Sequence, residues 1–428
     1  MSFLAKRRGE VTHNDITPLY KWSLIILVSL GGSIMYIPMY LKYVFYDSLI
    51  GAFGCTNADL GLMLTMYGIA SLILYLPSGV LADRIHMRTL STIGFMSTAA
   101  LTAYYATMPP VKMLYIIFLG YGLTTIGLWW PTKYKVVRLC CSSEEYPQKI
   151  GISYTIYGAT GLVIGFINAA IIAACANAFA GIQAVLWFLA AMLFLMGILS
   201  IIMIPDFKGE IDKTVKGFDI KGTIEAIKWP GAMWASLAFF FVYALYIAAT
   251  YTTPYMTQVY GADEGMVSVL SSIRTYGIAI IAGPIFGWLA SKFKSASKSL
   301  IICLLATGGT AIGFLLAPDT ASIILIAALV LAFGFFTYGG LSIGSSPLGE
   351  IKMPVRIFGS GTAIISLVGF LPDSFIHIAF GSLMDAYGVE AYQIIFGIDI
   401  TFAVLGVFCL LMLMRSMKKN SSRLADLE

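Results

Sequence analysis

Charged residues are scarce in this sequence. Asp, Glu, Lys and Arg make up 11% of its 428 residues, whereas hydrophobic residues make up 59%, and the mean hydropathy is +0.86. A soluble domain needs a more polar surface than this composition supplies, so a soluble globular protein is excluded. The formal net charge of +5 is explained below by membrane topology, and no nucleic-acid partner is expected.

Several motifs that carry chemistry are also missing. The chain has no Gly-x-x-x-x-Gly-Lys-Ser/Thr loop, so nothing in it is expected to hydrolyse ATP. Its six cysteines contain no Cys-x-x-Cys spacing and fall mostly within or at the ends of apolar runs, so we expect no metal site and no cofactor. Apart from one Asp-His pair, no catalytic constellation clusters at one depth, and the protein is not expected to be an enzyme.

Long apolar runs fill most of the chain instead. About 20 apolar residues in a helix cross the hydrocarbon core of a bilayer, and these runs are too continuous for an alternating β-barrel. The sequence therefore predicts an all-α membrane protein of about twelve transmembrane helices in two pseudo-symmetric six-helix bundles. The predicted helices span 20–46, 59–82, 90–108, 112–137, 150–174, 183–204, 230–258, 265–290, 299–317, 320–345, 357–384 and 390–415.

The longest polar interruption divides the chain six plus six. It predicts an N-terminal bundle over 1–204, a cytoplasmic linker over 205–229, and a C-terminal bundle with a short cytoplasmic tail over 230–428. Glycines that recur 208 residues apart, such as Gly79 and Gly287, fall in corresponding helices of the two halves. Two parallel six-helix repeats are typical of one large class of transporters.

Basic residues set the orientation, because they resist translocation across the membrane. Only Lys42 and Lys112 are predicted on the outer side, so both termini are expected in the cytoplasm, with the chain spanning the inner membrane many times and the lipid bilayer as its partner. Besides five linker lysines, the inner side would carry Lys6, Arg7, Arg8, Lys21, Arg84, Arg88, Arg138, Lys149, Lys292, Lys294, Lys298, Lys352, Arg356, Arg415, Lys418, Lys419 and Arg423.

The charged turn from Gly79 to Arg88 reads GVLADRIHMR and lies between two apolar runs. It resembles the Gly-x-Leu-Ala-Asp-Arg-x-Gly-x-Arg loop motif of the major facilitator superfamily, with His86 in place of the second glycine. The resemblance implies a twelve-helix transporter in which Gly79, Asp83, Arg84 and Arg88 latch one conformation through charged hydrogen bonds to the other half. Alternatively, these charges only set topology.

Arg274 lies near the midpoint of the predicted eighth helix, where a basic group costs several kcal/mol unless it faces a wet cavity or an anion. Ser268, Ser271 and Thr275 form a polar stripe along the same helix, with Arg274 at its edge. We expect Arg274 to bind an anionic substrate together with Ser271. The alternative is an ion pair with Asp373 that holds helices together.

Asp373 and His377 are four residues apart in the predicted eleventh helix, so their side chains share a face. A partly desolvated carboxylate beside an imidazole is suited to proton coupling. Alternatively, Asp373 is paired permanently with Arg274, and His377 is structural.

Aromatic and hydroxyl residues recur at helical spacing in other helices. Such side chains grip a small polar solute, although Tyr and Trp also anchor helices at the membrane surface and a lysine can extend to that surface. The predicted substrate-binding residues of this kind are Tyr36, Tyr40, Tyr67, Trp129, Lys133, Tyr243 and Tyr246.

Three segments, Trp129 to Lys133, Arg274 to Gly277 and Gly369 to Asp373, resemble a bacterial branch of the superfamily grouped with carriers of organic anions and sugar acids. We therefore expect a monomeric secondary active transporter that moves a small organic anion, a carboxylate or sugar acid, by alternating access. Coupling would be proton symport or anion antiport. The alternatives are a neutral sugar or polyol transporter, in which Asp373 neutralises Arg274, and a membrane-embedded ligand sensor.

Overall fold

The computed structural model describes residues 10–142, 145–211 and 220–420, and regular structure in these ranges is helical apart from one β-bridge between Val11 and Phe207. The helices are α1 Pro18–Tyr36, α2 Tyr46–Phe53, α3 Asn57–Arg84, α4 Met87–Ala106, α5 Val111–Gly122, α6 Trp130–Cys140, α7 Tyr146–Ala174, α8 Ala178–Met203, α9 Ile220–Ile227, α10 Ala232–Ala248, α11 Thr252–Gln258, α12 Glu264–Ser272, α13 Ile278–Lys292, α14 Ala296–Leu316, α15 Ile323–Ile343, α16 Pro347–Glu350, α17 Val355–Gly369, α18 Ile376–Tyr387 and α19 Ala391–Lys419. Lys6 to Arg8, residues 212–219 of the predicted linker and 421–428 of the tail lie outside the described residues.

Polar residues at helix starts define where several of these helices begin. The Asn177 side chain accepts a hydrogen bond from the Ala180 N–H at 2.9 Å at the start of α8. Asp263 does the same for the Met266 N–H at 2.9 Å at the start of α12. Such caps satisfy N–H groups that have no partner within the helix.

Ten helices in the described residues are long and apolar enough to cross a membrane, so the predicted all-α membrane architecture is confirmed. The predicted helix 90–108 forms as α4, which is not among those ten. The ten are Pro18–Tyr36, Asn57–Tyr75, Val111–Cys140, Gln148–Ala174, Ala178–Met203, Ala232–Gln258, Glu264–Lys292, Ala296–Leu316, Ile323–Ile343 and Ile376–Lys419.

Two predicted helices are interrupted. The first was expected to run over 20–46, but α1 ends at Tyr36, and Tyr40 and Tyr43 lie in the turns that follow. The eleventh was expected to run over 357–384, but α17 ends at Gly369 and a tight turn over Leu371–Ser374 separates it from α18. Pro372 in this turn has no N–H to donate, which explains the break.

Two other helices contain a wide, π-type turn. It spans Leu123–Trp129 between α5 and α6, and Ile273–Gly277 between α12 and α13. Each holds a predicted substrate-binding residue, Trp129 and Arg274. Wide turns of this kind are frequent at functional sites because they re-aim side chains within an otherwise regular helix.

The chain forms two compact units. The first takes in the described residues of Met1–Leu41, Gly51–Gly54 and Ile69–Phe218. The second takes in those of Lys42–Ile50, Cys55–Gly68 and Asp219–Glu428. The predicted boundaries at 204 and 230 remain a prediction.

Each unit has its own packed core. In the first, α4 lies along α8, where Ser91 Oγ and Ser200 Oγ are 2.8 Å apart. In the second, α19 packs against α10 and α14, and the rings of Phe314 and Phe396 stack with centroids 4.6 Å apart.

Within the second unit, the start of α3 packs very closely against the chain around α18. A Cβ atom at Gly61 would lie 2.2 Å from the His377 carbonyl oxygen, and one at Gly68 would lie 2.5 Å from the Asp373 carbonyl oxygen. Larger residues at these two positions would push the backbones apart. The glycines therefore set the position of the Asp373-His377 segment.

Candidate functional site

Arg274 is buried in the second unit, with 4% of its surface exposed. Four neutral oxygen atoms accept hydrogen bonds from its guanidinium: Thr252 Oγ1 at 2.8 Å, Thr253 Oγ1 at 2.9 Å, the Tyr43 carbonyl at 2.6 Å and Thr275 Oγ1 at 3.2 Å. In the described part of the chain, no carboxylate lies within the 4.0 Å ion-pair distance of this guanidinium. Arg274 is thus fixed in place but keeps an uncompensated positive charge.

Ser271 belongs to the same network. Its hydroxyl lies 2.9 Å from Thr253 Oγ1, which in turn accepts from Arg274. A small pocket adjoins Arg274 and offers hydroxyl groups and aromatic rings. Its lining comprises Tyr43, Tyr246, Ala249, Thr250, Arg274, Thr275, Gly334, Thr337 and Tyr338.

Asp373 and His377 meet in spite of the break before α18. The distance from His377 Nε2 to Asp373 Oδ1 is 3.3 Å, and both residues are buried. The Tyr243 hydroxyl donates to Asp373 Oδ2 at 2.6 Å, and the Tyr243 ring stacks on Tyr246 at 5.9 Å. The structure therefore brings Asp373, His377 and Tyr243 together, and Tyr246 connects them to the Arg274 pocket.

The burial of Lys42 was not predicted from the sequence. The residue was expected near the outer end of a helix, but it is 1% exposed within the second unit. Its Nζ donates to the Tyr251 hydroxyl at 3.2 Å, and that hydroxyl donates to the His377 carbonyl at 2.9 Å. Tyr46, four residues along the chain, was the available signal, because Lys42 lies over its ring as well as over that of Tyr251.

Asp399 was also missed. It lies in α19, none of its surface is exposed, and neither carboxylate oxygen has a hydrogen-bond partner among the described residues. The signal was present in the sequence, since Asp399 is the only acid between 391 and 415. A lone acid in an apolar run is costly for the same reason as Arg274.

Trp129 and Lys133 lie together in the first unit. Lys133 is buried, and its Nζ is 4.2 Å from the ring centroid of Tyr154 and 4.9 Å from that of Tyr157. Among the described residues it has no ion-pair partner, and the buried Trp129 Nε1 has no hydrogen-bond acceptor. These are two unmatched donors in one region.

The remaining predicted aromatic residues divide between the units. Tyr36 contacts the rings of Tyr40 and Trp130, with centroids 6.5 Å and 6.4 Å away, in the first unit. Tyr67 is buried in the second unit. The structure thus places Tyr36 and Tyr40 in one aromatic group of the first unit.

The charged turn makes its described contacts within the first unit. Lys135 Nζ donates to Asp83 Oδ1 at 2.7 Å, and Arg88 Nε donates to the Ile204 carbonyl at 2.6 Å. Gly79 and Asp83 line a cavity of about 610 Å³ in this unit. Arg84 is exposed. A latch to the other half therefore remains a prediction.

A further cluster of ionisable side chains lies around His86, at the start of α4. His86 Nδ1 contacts Glu210 Oε1 and lies 3.9 Å from Asp206 Oδ1. Burial raises the pKa of the Glu210 carboxyl, and the contact with His86 opposes that rise.

The many apolar helices and the buried charges among them define a polytopic membrane protein of the transporter type. Residues 22–376 match the sequence model of the Major Facilitator Superfamily, and the chain belongs to that superfamily of membrane transporters. It is accordingly a transporter and not an enzyme.

Relatives and solved structures agree with this assignment. The chain is 26% identical to the Escherichia coli K12 inner membrane protein YihN, over 95% of this chain and 99% of the relative. It is 24% identical to the E. coli K12 inner membrane protein YqcE, over 87% and 90%.

Two solved transporters share the fold. A bacterial homologue of the human lysosomal transporter Spinster, solved inward-facing and unoccupied, superposes with a TM-score of 0.73 at 13% identity, over 95% of this chain and 99% of that chain. The nucleoside transporter NupG superposes with a TM-score of 0.71 at 14% identity, over 92% and 99%.

Proposed function

We propose that this transporter moves a small organic anion, a carboxylate or sugar acid, across the inner membrane by alternating access, with Arg274 as the anchor for the anionic group. The inner-membrane names of the two E. coli relatives support the location. The distribution of basic residues supports cytoplasmic termini.

The observation that carries the proposal is the buried, uncompensated charge of Arg274. Its four hydrogen bonds to neutral oxygens hold the guanidinium in one orientation, and no described carboxylate neutralises it. A buried cation without a counter-charge is unfavourable, so an incoming carboxylate would be bound in part because it relieves that cost. Hydroxyl groups of Thr250, Thr337 and Tyr338 beside the pocket suit the polar remainder of such a solute.

Asp373 and His377 are the proposed proton-coupling residues. Asp373 Oδ1 and His377 Nε2 lie 3.3 Å apart, although neither atom makes a hydrogen bond among the described residues, and Tyr243 links Asp373 to the ring that borders the Arg274 pocket. Proton binding at Asp373 would thereby alter the hydrogen bonding of the neighbouring tyrosines. In anion exchange, by contrast, Asp373 would only position Tyr243.

The first unit offers further candidate contacts for the anion. Among the described residues, the buried Trp129 indole N–H has no acceptor, and the buried Lys133 ammonium faces the rings of Tyr154 and Tyr157. We assign them a supporting role in anion binding, since a buried donor gains most from an acceptor that arrives with the substrate.

The neutral sugar alternative required Asp373 to neutralise Arg274. Among the described residues, Arg274 bonds instead to hydroxyl and carbonyl oxygens, whereas Asp373 bonds to Tyr243. This arrangement favours an anion over a neutral solute. A ligand sensor would bind without flux, and vesicle uptake distinguishes that case.

A thermal-shift panel on the purified protein tests the substrate class, because a ligand stabilises the state that it binds. Carboxylates, sugar acids, neutral sugars and organic cations are compared on wild type, Arg274→Gln and Arg274→Lys. We expect carboxylates to raise the melting temperature of wild type, to do so less for Arg274→Lys, and not to do so for Arg274→Gln. If neutral sugars alone stabilise all three proteins equally, the substrate class and the role of Arg274 are wrong.

A further inference from the structure

His86 is the one residue of the charged turn that departs from the superfamily motif, and the transport proposal gives it no role. It lies at the start of α4, and the chain that leaves α8 passes beside it. Asp206 and Glu210 from that chain both turn a carboxylate oxygen toward the imidazole. One ligand atom from each of the three residues lies within 4.8 Å of the other two. We call His86, Asp206 and Glu210 the His86 cluster.

The backbone that carries the two carboxylates is held in place. The Val11 N–H donates to the Asp206 carbonyl at 2.9 Å, and the Lys208 N–H donates to the Val11 carbonyl at 2.9 Å. The Glu210 N–H donates to the Phe207 carbonyl at 3.2 Å. The segment from 206 to 210 is therefore ordered before any ligand arrives.

Each carboxylate uses one oxygen for support and presents the other to His86. Arg88 Nη1 lies 3.3 Å from Asp206 Oδ2, which leaves Oδ1 toward the imidazole. The Phe207 N–H donates to Glu210 Oε2 at 3.3 Å, which leaves Oε1 toward the imidazole. Supporting contacts of this kind orient the ligands of metal sites.

The cluster is reachable from solvent, and it sets two carboxylates beside one imidazole. The side chains of His86 and Asp206 are 42% and 32% exposed, whereas Glu210 is 1% exposed. Arg88 contacts Asp206, but among the described residues no lysine or arginine lies within ion-pair distance of Glu210. A buried carboxylate is stable when it is paired or bound to a metal.

We propose that His86 Nδ1, Asp206 Oδ1 and Glu210 Oε1 form a binding site for one divalent transition-metal ion of the Zn²⁺ type. An imidazole nitrogen with two carboxylate oxygens suits Zn²⁺, whereas Mg²⁺ and Ca²⁺ prefer sites made only of oxygen atoms. The ion would tie the segment that follows α8 to the start of α4. No metal site was expected from the cysteine spacing, and His86 is separated from Asp206 and Glu210 by 120 and 124 residues of chain.

The test uses the full-length protein, purified in detergent and treated with EDTA. Isothermal titration with ZnCl₂ measures affinity and stoichiometry, and thermal melts with ZnCl₂, MgCl₂ or CaCl₂ measure selectivity. We expect one Zn²⁺ per chain and a Zn²⁺-dependent rise in melting temperature that Mg²⁺ and Ca²⁺ do not reproduce. His86→Ala and Glu210→Gln should each weaken Zn²⁺ binding at least tenfold.

His13→Ala is the matched control, because His13 lies in the same unit but outside the cluster. It should bind Zn²⁺ with wild-type affinity. If His86→Ala does not fold, Glu210→Gln carries the test, since it keeps the side-chain shape. The proposal is overturned if wild type shows no stoichiometric Zn²⁺ binding, or if both cluster variants bind Zn²⁺ as wild type does.

Discussion

Gly334 on α15 allows Arg274 to take its position. A Cβ atom at residue 334 would lie 2.4 Å from Arg274 Cγ and 3.4 Å from Arg274 Cδ. Non-bonded carbon atoms rest about 3.5–4.0 Å apart, so in Gly334→Ala the stem of Arg274 would have to move by about 1 Å. The guanidinium cannot follow without stretching bonds that now measure 2.6–3.2 Å.

The size of the effect follows from these bonds. Misplacing a positioning group by about 1 Å can cost roughly 100-fold in rate, and one hydrogen bond to a charged group contributes about 1.5–3 kcal/mol. Since about 1.4 kcal/mol is a factor of ten, we expect the KM for an anionic substrate to rise about 10- to 100-fold in Gly334→Ala. Alanine favours a helix more than glycine does, so weaker helix formation would not explain a rise in KM.

The assay is the initial rate of labelled carboxylate uptake into proteoliposomes over a range of concentrations. Gly309→Ala on α14 is the matched control, because no atom lies within 4 Å of the added Cβ, and it should transport as wild type does. If Gly334→Ala keeps the wild-type KM, the placement of Arg274 does not matter for binding and the reasoning fails.

Three further predictions concern the carboxylates of the second unit. Asp373→Asn should retain anion exchange but lose accumulation driven by a pH gradient, because His377 then has no titrating partner; unchanged pH-driven uptake would remove Asp373 from the coupling mechanism. Asp385 accepts hydrogen bonds from the Asn57 N–H at 3.0 Å and the Ala58 N–H at 2.7 Å. Asp385→Asn should therefore lower the free energy of unfolding by about 1 kcal/mol and lower the melting temperature. An unchanged melting temperature would contradict that role. Asp399→Leu should raise the melting temperature and leave uptake intact, because it removes a buried carboxylate that has no partner among the described residues; loss of uptake would show that Asp399 takes part in transport.

Helices and the buried position of Arg274 were the features that the sequence predicted well. Apolar runs must form helices in a membrane, so their approximate positions follow from length and composition. Arg274 stood out because a charge in an apolar run is costly. Its link to Ser271 also agrees with the predicted polar stripe, although Thr253 from another helix completes it.

The interruptions of helices could not be predicted in the same way. The wide turns around Trp129 and Arg274 depend on how side chains fit between helices, and hydropathy does not report that fit. The break after Gly369 had a signal in Pro372, but the apolar residues on both sides outweighed it. Tyr40 was predicted on the first helix because the surrounding residues are apolar, but it lies in a turn.

Contacts between distant segments were equally out of reach. The carbonyl of Tyr43 accepts from Arg274 across 231 residues, and a backbone acceptor leaves no trace in side-chain patterns. The His86 cluster likewise joins residues 124 positions apart. Lys42 was expected on the outer side, and its contact with Tyr251, 209 residues away, forms only in the folded chain.

Uptake of a carboxylate and of its uncharged amide by Arg274→Gln proteoliposomes tests the central claim most directly. Wild type should take up the carboxylate and discriminate against the amide. Arg274→Gln should lose carboxylate uptake about 100-fold, because the positive charge that would bind the carboxylate is removed, and should no longer discriminate. Arg274→Lys should retain part of the activity, since it keeps the charge but not the forked geometry. Carboxylate uptake by Arg274→Gln at the wild-type rate would contradict the account.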